Sequence, residues 1–401
     1  MNTKSTVITL LGIRPDIIRM FKLIELLDAN AEKYGYQHLY CHTGQHFDHE
    51  LDGVFHEQLG VRRPDWNMDV GKTLKESGGP TNHMYQTALM FEKTAEMIEK
   101  FNPSLILYLG DTNSVLTSVA IARSGIPLAH IEAGGRSFDW RMPEEKNRTI
   151  IDNLADAHYC YMPHHRDNLL REGVAEHRTT VIGNIIYDSI EKFLPIARLQ
   201  SLPSELNLES GTFVLTTIHR EENTSTSDVL KEKIEGLIEI AKEMPVVFPL
   251  MPRVRTNLEK FGLLNQLLQS EVIMTKPLGY LEFLKLQEQA KVIITDSGTV
   301  QEEACILGVP CVVTRRSTER PETIQAGATI LTQTNLVEAV QKALALPKNW
   351  DRGCMKTLAG SPSDIVFYDL MQKFTSGYFA NSRSRKYLPD ITAVHNAYGE
   401  F

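Results

Sequence analysis

The stretch Ala129–Arg148 reads AHIEAGGRSFDWRMPEEKNR and places Glu132, Arg136, Asp139, Arg141, Glu144, Glu145, Lys146 and Arg148 directly behind an apolar run. Carboxylates gathered where a strand ends in a partly desolvated cleft have raised pKa values, so one can accept a proton while another donates one. Asp111 in GDTNS stands in the same relation to the apolar run SLILYLG, where it can cap the following helix or face a cleft. Glu132 follows its strand at once, with Gly134 and Gly135 allowing close approach of other chain, and Glu144 follows Pro143. The competing structural role for each carboxylate is a salt bridge to Arg136, Arg141 or Arg148.

Groups suited to anions recur in the same kind of place. GIRPD follows an apolar run with a Gly turn, Arg14 and Pro15, and a helix N-terminus beside Arg14 favours a phosphate. TTIHREEN places His219 and Arg220 where a cation can steady a leaving phosphate. In ITDSGTVQEEACILG the backbone N–H groups of Ser297, Gly298 and Thr299, with the Ser297 hydroxyl, can cradle a diphosphate, and Glu302 or Glu303 can accept from a ribose. The alternative is plain N-capping by Asp296 or Ser297. There is no Walker lysine and no GxGxxG, which gives ATP or nicotinamide binding little support. CHTGQHFDHE holds His42, His46 and His49 with Asp48 and Glu50, but no distant ligand pattern accompanies them, and no metal is expected.

The elements that must position these groups are legible as a pattern. Apolar runs of four to seven residues, bounded by Gly, alternate with longer helical segments from STVITLLG to IPLAHIEAGG, which predicts a parallel sheet covered on both faces. The alternation restarts at TFVLTTIHREENT and continues through PVVFPLMP, a single helix TNLEKFGLLNQLLQS, EVIMTKPLG, KVIITDSG and VPCVVTRR. Residues 181–211 connect the two units. Two doubly wound Rossmann-like α/β units facing across a cleft bind ligands outside the carboxyl ends of their strands, and the motifs above all lie there. The chain divides into 1–185, carrying the carboxylates, 186–358, and 359–401, a C-terminal helix and tail expected to return to the first unit.

Its 401 residues are too many for one ordinary core, in keeping with two units. Lys plus Arg number 42 against 50 for Asp plus Glu, a net charge of −8 without a basic stripe, which argues against nucleic acid as a partner. No apolar run approaches the roughly 18 residues of a membrane helix, and the N-terminal apolar run is broken by Gly12 and Arg14; a cytoplasmic location and no membrane association are expected. Five scattered cysteines without CxxC spacing read as buried thiols.

Together the strand ends resemble those of the UDP-N-acetylglucosamine 2-epimerase family, from about Val7 to Leu331. The motifs that carry the resemblance are GIRPD, GDTNS, HIEAGGRSFDWRMPEEKNR, TIHREEN and TDSGTVQEEACILGVPCVVTRRSTERPE. The resemblance implies the GT-B fold and non-hydrolysing inversion at C2 of a UDP-2-acetamido sugar: UDP is eliminated to give 2-acetamidoglucal and is then added back. It also implies a UDP-sugar as substrate, no cofactor, and a homodimer. Carried over by position, Asp111, Glu132 and Glu144 look like the acid and base carboxylates and His219 like the histidine near the diphosphate. Arg14, Arg19 and Arg148 match positions that contact substrate or phosphate; Ser297, Gly298 and Thr299 match the diphosphate turn, Glu303 the ribose ligand and Phe283 the base-packing aromatic. Thr299 stands where the family has a second Gly, Gly135 where it has Leu, Arg19 where it has Lys, and Met251 where bacterial members have an activator-binding His. Thr299 and Gly135 admit a 6-deoxy or diacetamido UDP-sugar, Met251 speaks against that activation, and a hydrolysing epimerase that releases N-acetylmannosamine is the further alternative.

Overall fold

The computed structural model describes residues 5–45, 59–78, 82–202, 206 and 208–379, with the Arg14 side chain outside that description. Its first sheet has seven strands, β1 (Ser5–Leu11), β2 (Tyr36–His42), β3 (Trp66–Asn67), β4 (Leu105–Leu109), β5 (Leu128–Ile131), β6 (Ala157–Cys160) and β7 (Thr179–Val181). They run parallel in the order β3-β2-β1-β4-β5-β6-β7. The second sheet holds β8 (Val214–Thr217), β9 (Val246–Pro249), β10 (Ile273–Thr275), β11 (Val292–Thr295), β12 (Cys311–Thr314) and β13 (Thr329–Thr332). Its order is β10-β9-β8-β11-β12-β13, again all parallel. The two doubly wound units read from the sequence are therefore both present. In each sheet the strand order reverses once, between β1 and β4 and between β8 and β11, and these switch points open crevices at the strands' carboxyl ends. GIRPD and GDTNS follow β1 and β4; TIHREEN and DSGT follow β8 and β11.

The central strands are apolar on both faces because helices cover both. β4 and β5 are buried throughout. The helix Arg14–Tyr34 begins with Pro15 in its first turn and ends at Gly35, whose φ of 72° supplies the left-handed cap.

Local chemistry alters one reading and shapes the segment after β4. The helix expected across TNLEKFGLLNQLLQS is two helices, Pro252–Lys260 and Leu264–Leu268. Gly262, at φ 71°, ends the first, and its N–H donates to the Glu259 carbonyl at 3.1 Å. TNSVLTS opens as a 3₁₀ turn, Asn113–Thr117, before the α-helix Ser118–Arg123, because Thr117 and Ser114 turn back on each other.

The connection between the units contains the helix Ile186–Arg198. Its Phe193 is fully buried against Phe21 of the first unit, with centroids 4.9 Å apart, and against Tyr280 of the second, at 5.9 Å. The chain returns after the second sheet as the helix Pro362–Thr375, which packs on Arg14–Tyr34 through Phe367 against Tyr34. Where it leaves and where it returns, the chain touches itself: the Asn184 N–H donates to the Met355 carbonyl at 2.8 Å.

Asp188 anchors the returning helix. It is buried, and it accepts from the Ser361 hydroxyl at 2.7 Å and the Ser363 N–H at 2.9 Å. The Asp188→Ala variant leaves both donors without this acceptor and is expected to lose about 1–3 kcal/mol of stability. Urea unfolding checks this, together with faster protease cleavage between residues 345 and 361; a stability equal to that of the parent would show that apolar packing alone holds the helix.

Candidate active site

On the first unit the site is built around Glu132, immediately beyond β5. Its backbone φ of 73° is a left-handed conformation that a glutamate seldom adopts. The turn is held by the Glu132 and Ala133 N–H groups, which both donate to the Tyr159 carbonyl, at 3.0 and 3.1 Å. Gly134, at φ 78°, follows because a Cβ there would overlap the His165 carbonyl. His130, within β5, donates from Nε2 to the Gly110 carbonyl at 2.9 Å, tying the ends of β4 and β5 together, and its Nδ1 lies 2.7 Å from Asp152 Oδ1.

The Glu132 side chain is buried, and Arg19 pairs with one of its oxygens and Arg320 with the other. Burial alone would raise its pKa; the guanidinium groups of Arg19 and Arg320 overcome this and hold it at about 2, so it is a carboxylate at neutral pH. Arg19 also binds Asp16 at 2.9 Å. Asp16 is buried and accepts from the Ile13 N–H at 3.1 Å, so it is an interior cap and no surface ion-pair partner; burial pushes it up to about 6. Asp111, beyond β4, pairs with the buried Arg148, which also binds Glu145 at 2.8 Å. Glu145 is thereby structural: its carboxylate accepts from the Ser137 and Phe138 N–H groups at 3.0 and 3.1 Å and fixes the loop before the helix Pro143–Leu154.

On the second unit Asp296, beyond β11, is the organising group. It is fully buried and accepts from the backbone N–H groups of His219 and Arg220, each at 2.9 Å, and from Asn223 at 3.0 Å. His219 Nδ1 lies 3.0 Å from its carboxylate, and the ring is half exposed, so Nε2 is turned toward solvent with its partner nitrogen fixed. Ser297 caps the helix Gly298–Leu307 through the Val300 N–H at 3.4 Å. A Cβ on Gly298 would stand 2.7 Å from Glu319 Oε1, which keeps this turn bare. Thr299 is half-buried on the same turn, and Phe283 is half-buried against the apolar cluster beneath β8 and β11.

Glu303 lies inside the fold, one turn into the helix behind Ser297. It is buried, and its oxygens accept from Tyr280 Oη at 3.1 Å and Gln287 Nε2 at 2.8 Å. Glu302, the other carboxylate of the pair, is bound to Arg320.

At this site ion pairs reach from one unit to the other. Arg320 binds Glu132, Arg148 reaches Glu319 at 3.7 Å, and Arg220 reaches Glu144 at 3.7 Å. Asp111, Glu132, Glu144, Arg19 and Arg148 are thus brought together from one side, and His219 and the Ser297–Thr299 turn from the other. The sequence reading did not single out Arg315, Glu319 and Arg320, although they stand in TRRSTERPE beyond β12, a strand end like the rest. Arg315 is buried, binds Glu319 at 2.8 Å, and has its Nε and one terminal nitrogen without a hydrogen-bond acceptor.

The family model of UDP-N-acetylglucosamine 2-epimerase matches residues 28–357. The chain belongs to the UDP-N-acetylglucosamine 2-epimerase family. A UDP-N-acetylglucosamine 2-epimerase of Methanococcus maripaludis is 37% identical over 353 residues, 85% of this chain and 92% of the relative. A UDP-2,3-diacetamido-2,3-dideoxy-D-glucuronate 2-epimerase of Pseudomonas aeruginosa is 37% identical over 329 residues, 81% and 87% of the two chains. Among solved structures, the Methanocaldococcus jannaschii UDP-GlcNAc 2-epimerase in complex with UDP-GlcNAc and UDP superposes with a TM-score of 0.82 at 34% identity, over 92% of this chain and 99% of the other. A second structure of the Methanocaldococcus jannaschii UDP-GlcNAc 2-epimerase gives a TM-score of 0.68 at the same identity and coverage.

Glu303 makes the site's stability depend on pH. Burial pushes its carboxyl from 4.5 up to about 7, against the lowering effect of Gln287 and Tyr280. A raised carboxyl favours the fold while protonated, so this contribution is present below pH 4.5 and is lost as pH rises to about 7, on the order of 1–3 kcal/mol. The Glu303→Gln variant should show a flatter melting temperature between pH 5 and 8 than the parent, measured by calorimetry. Parallel curves would mean that Glu303 titrates normally.

Proposed function

We propose that the chain interconverts UDP-N-acetylglucosamine and UDP-N-acetylmannosamine by elimination and re-addition of UDP, without hydrolysis. The observation that carries this reading is Glu132: a carboxylate kept ionised, buried, and held between both units at the switch-point crevice. A C2 proton next to an acetamido group is not acidic, so its removal requires a base in a dry site and simultaneous departure of the group at C1. A carboxylate takes the proton, the C2–H electron pair becomes the C1–C2 double bond, and the C1–O pair leaves with the diphosphate. The proton then returns to the opposite face of C2 while a diphosphate oxygen re-forms the bond to C1. Two faces require at least two acid–base groups. Asp111 and Glu144, each tied through arginines to the same lattice, stand with Glu132 for these roles.

The leaving diphosphate gains negative charge, and the second unit presents its donors to it. His219 has Nδ1 on Asp296 and Nε2 directed outward, the N–H groups of Gly298 and Thr299 open a helix behind the Ser297 hydroxyl, and Arg315 has N–H groups without an acceptor. Phe283 is taken as the aromatic beside the base, and Arg14, Arg19 and Arg148 as the cations on the sugar side. Glu303 is taken as the ribose ligand; binding then exchanges its bond from Tyr280 or Gln287 for ribose hydroxyls. Closure by the ion pairs from Arg320 to Glu132, Arg148 to Glu319 and Arg220 to Glu144 keeps the glycal from water. A diacetamido UDP-sugar handled by the same steps is the second reading, supported by the Pseudomonas relative, which matches at the same identity as the Methanococcus one. The chain is further taken to act in the cytoplasm as a homodimer. Among the described residues no helix is long and apolar enough to cross a membrane, and Met84 and Tyr85, 80% and 51% exposed at the start of the helix His83–Phe101, offer apolar surface for pairing.

Proton NMR of UDP-N-acetylglucosamine with the protein in D2O is expected to show deuterium at C2, UDP-N-acetylmannosamine and no free sugar. Free N-acetylmannosamine in step with UDP would replace this with the hydrolysing reaction, and exchange seen only with a diacetamido UDP-sugar selects the second reading. Glu132→Gln should lower kcat at least about 100-fold while UDP binding by calorimetry stays within about threefold of the parent; normal turnover would remove Glu132 from the proposed role. Sedimentation velocity should give a dimer, and a monomer at micromolar concentration would refute the pairing.

A further inference from the structure

Away from the carboxylate lattice, the two units meet at a second polar cluster that the reaction does not use. His164 and His165 open the helix Pro163–Arg171 on the first unit, and Glu322 opens the helix Pro321–Gln325 on the second. One ligand atom from each lies within 4.8 Å of the other two, and His164 Nε2 stands 3.6 Å from Glu322 Oε2. His165 is 1% exposed and Glu322 4%. Neither ring nitrogen of His165, neither oxygen of Glu322 and not Nε2 of His164 has a hydrogen-bond partner. Buried polar atoms are almost always paired, and leaving even one unpaired costs about 1–3 kcal/mol. Five such atoms on three adjoining residues are therefore a cost to the protein alone, and a ligand shared by one atom of each residue reduces it.

The donors identify that ligand by class. Two imidazole nitrogens and one carboxylate oxygen suit a borderline divalent ion such as Zn²⁺ or Co²⁺, which accepts three protein ligands and a water in a tetrahedral shell. With bonds of about 2.0–2.1 Å, such a shell spaces its ligand atoms by about 3.3 Å, so the three side chains close by an ångström or so through their outer torsions. His164, 38% exposed at its side chain, gives solvent and the ion a way in. The fixed end of the cluster is His165, whose N–H donates to the Met162 carbonyl at 3.1 Å and whose own carbonyl is packed against Gly134. Arg320 is the nearby cation that opposes binding, and its charge is already engaged by Glu132 and Glu302.

We propose that His164, His165 and Glu322 form a site for a divalent transition-metal ion that joins the two units. Because the ligands come from both, the ion binds the closed arrangement and stabilises it. The test uses full-length protein freed of metal by chelation and dialysis, titrated with Co²⁺ and followed by calorimetry and visible absorption. One Co²⁺ per chain is expected, with the intense bands of a four-coordinate ion, and Zn²⁺ should displace it. His164→Ala and Glu322→Gln should each weaken binding at least about tenfold; circular dichroism of the metal-free variants should match the parent. Absence of binding at micromolar Co²⁺ would overturn the proposal, as would affinity unchanged in both variants, which would place the ion elsewhere. A loss in His164→Ala alone would overturn the joining of the units.

Discussion

The structure turns on a buried carboxylate gripped by two guanidinium groups that come from opposite sides of a cleft. Arg19 reaches Glu132 from the first unit and Arg320 from the second, and neither pair is exposed. An ion pair of this kind gains little net stability over apolar packing, because desolvation of the charges offsets their attraction. Its value is specificity. A closed state in which Glu132 faces an apolar surface would leave a bare buried charge, so only the arrangement that supplies Arg320 is low in energy. Arg320 in turn requires Glu302, Arg19 requires Asp16, and each of those is fixed by its own element.

The same lattice explains how one site holds acids of opposite character. Glu132 and Glu319 are surrounded by arginines and stay ionised; burial raises their carboxyls, and Arg19 and Arg320 for the first, Arg315 and Arg148 for the second, more than reverse this. Glu303 has only neutral donors and is pushed up to about 7 by burial. A few ångströms of packing thus separate a permanent anion from a group that titrates near neutrality.

Much of this was legible in the sequence, since a buried parallel strand is a short apolar run and its carboxyl end is where polar residues resume. That logic located β1, β4, β5, β8 and β11 with Asp111, Glu132, His219 and Ser297 at their ends. It passed over Arg315, Glu319 and Arg320 because TRRSTERPE reads as an ordinary charged loop until Glu132 is seen across the cleft. The break at Gly262 was hidden because the apolar period continues through it, and only the backbone sign of φ ends the helix. The burial of Glu303 was equally hidden: its partners Tyr280 and Gln287 lie on another helix, and sequence proximity does not reveal them.

The chain passes from the first unit to the second and back at neighbouring points, where Asn184 binds the Met355 carbonyl and Gly183 packs on Thr357. Two crossings set side by side behave as a single hinge. Sliding of one unit over the other would tear that contact, whereas a swing about it leaves the contact whole. Rotation about this pair of contacts is thereby the relative movement that disturbs them least. The proline within Ile186–Arg198 and the apolar grip of Phe193 lie on this pivot. The placing of one row of strand ends against the other consequently rests in part on residues outside the carboxylate lattice.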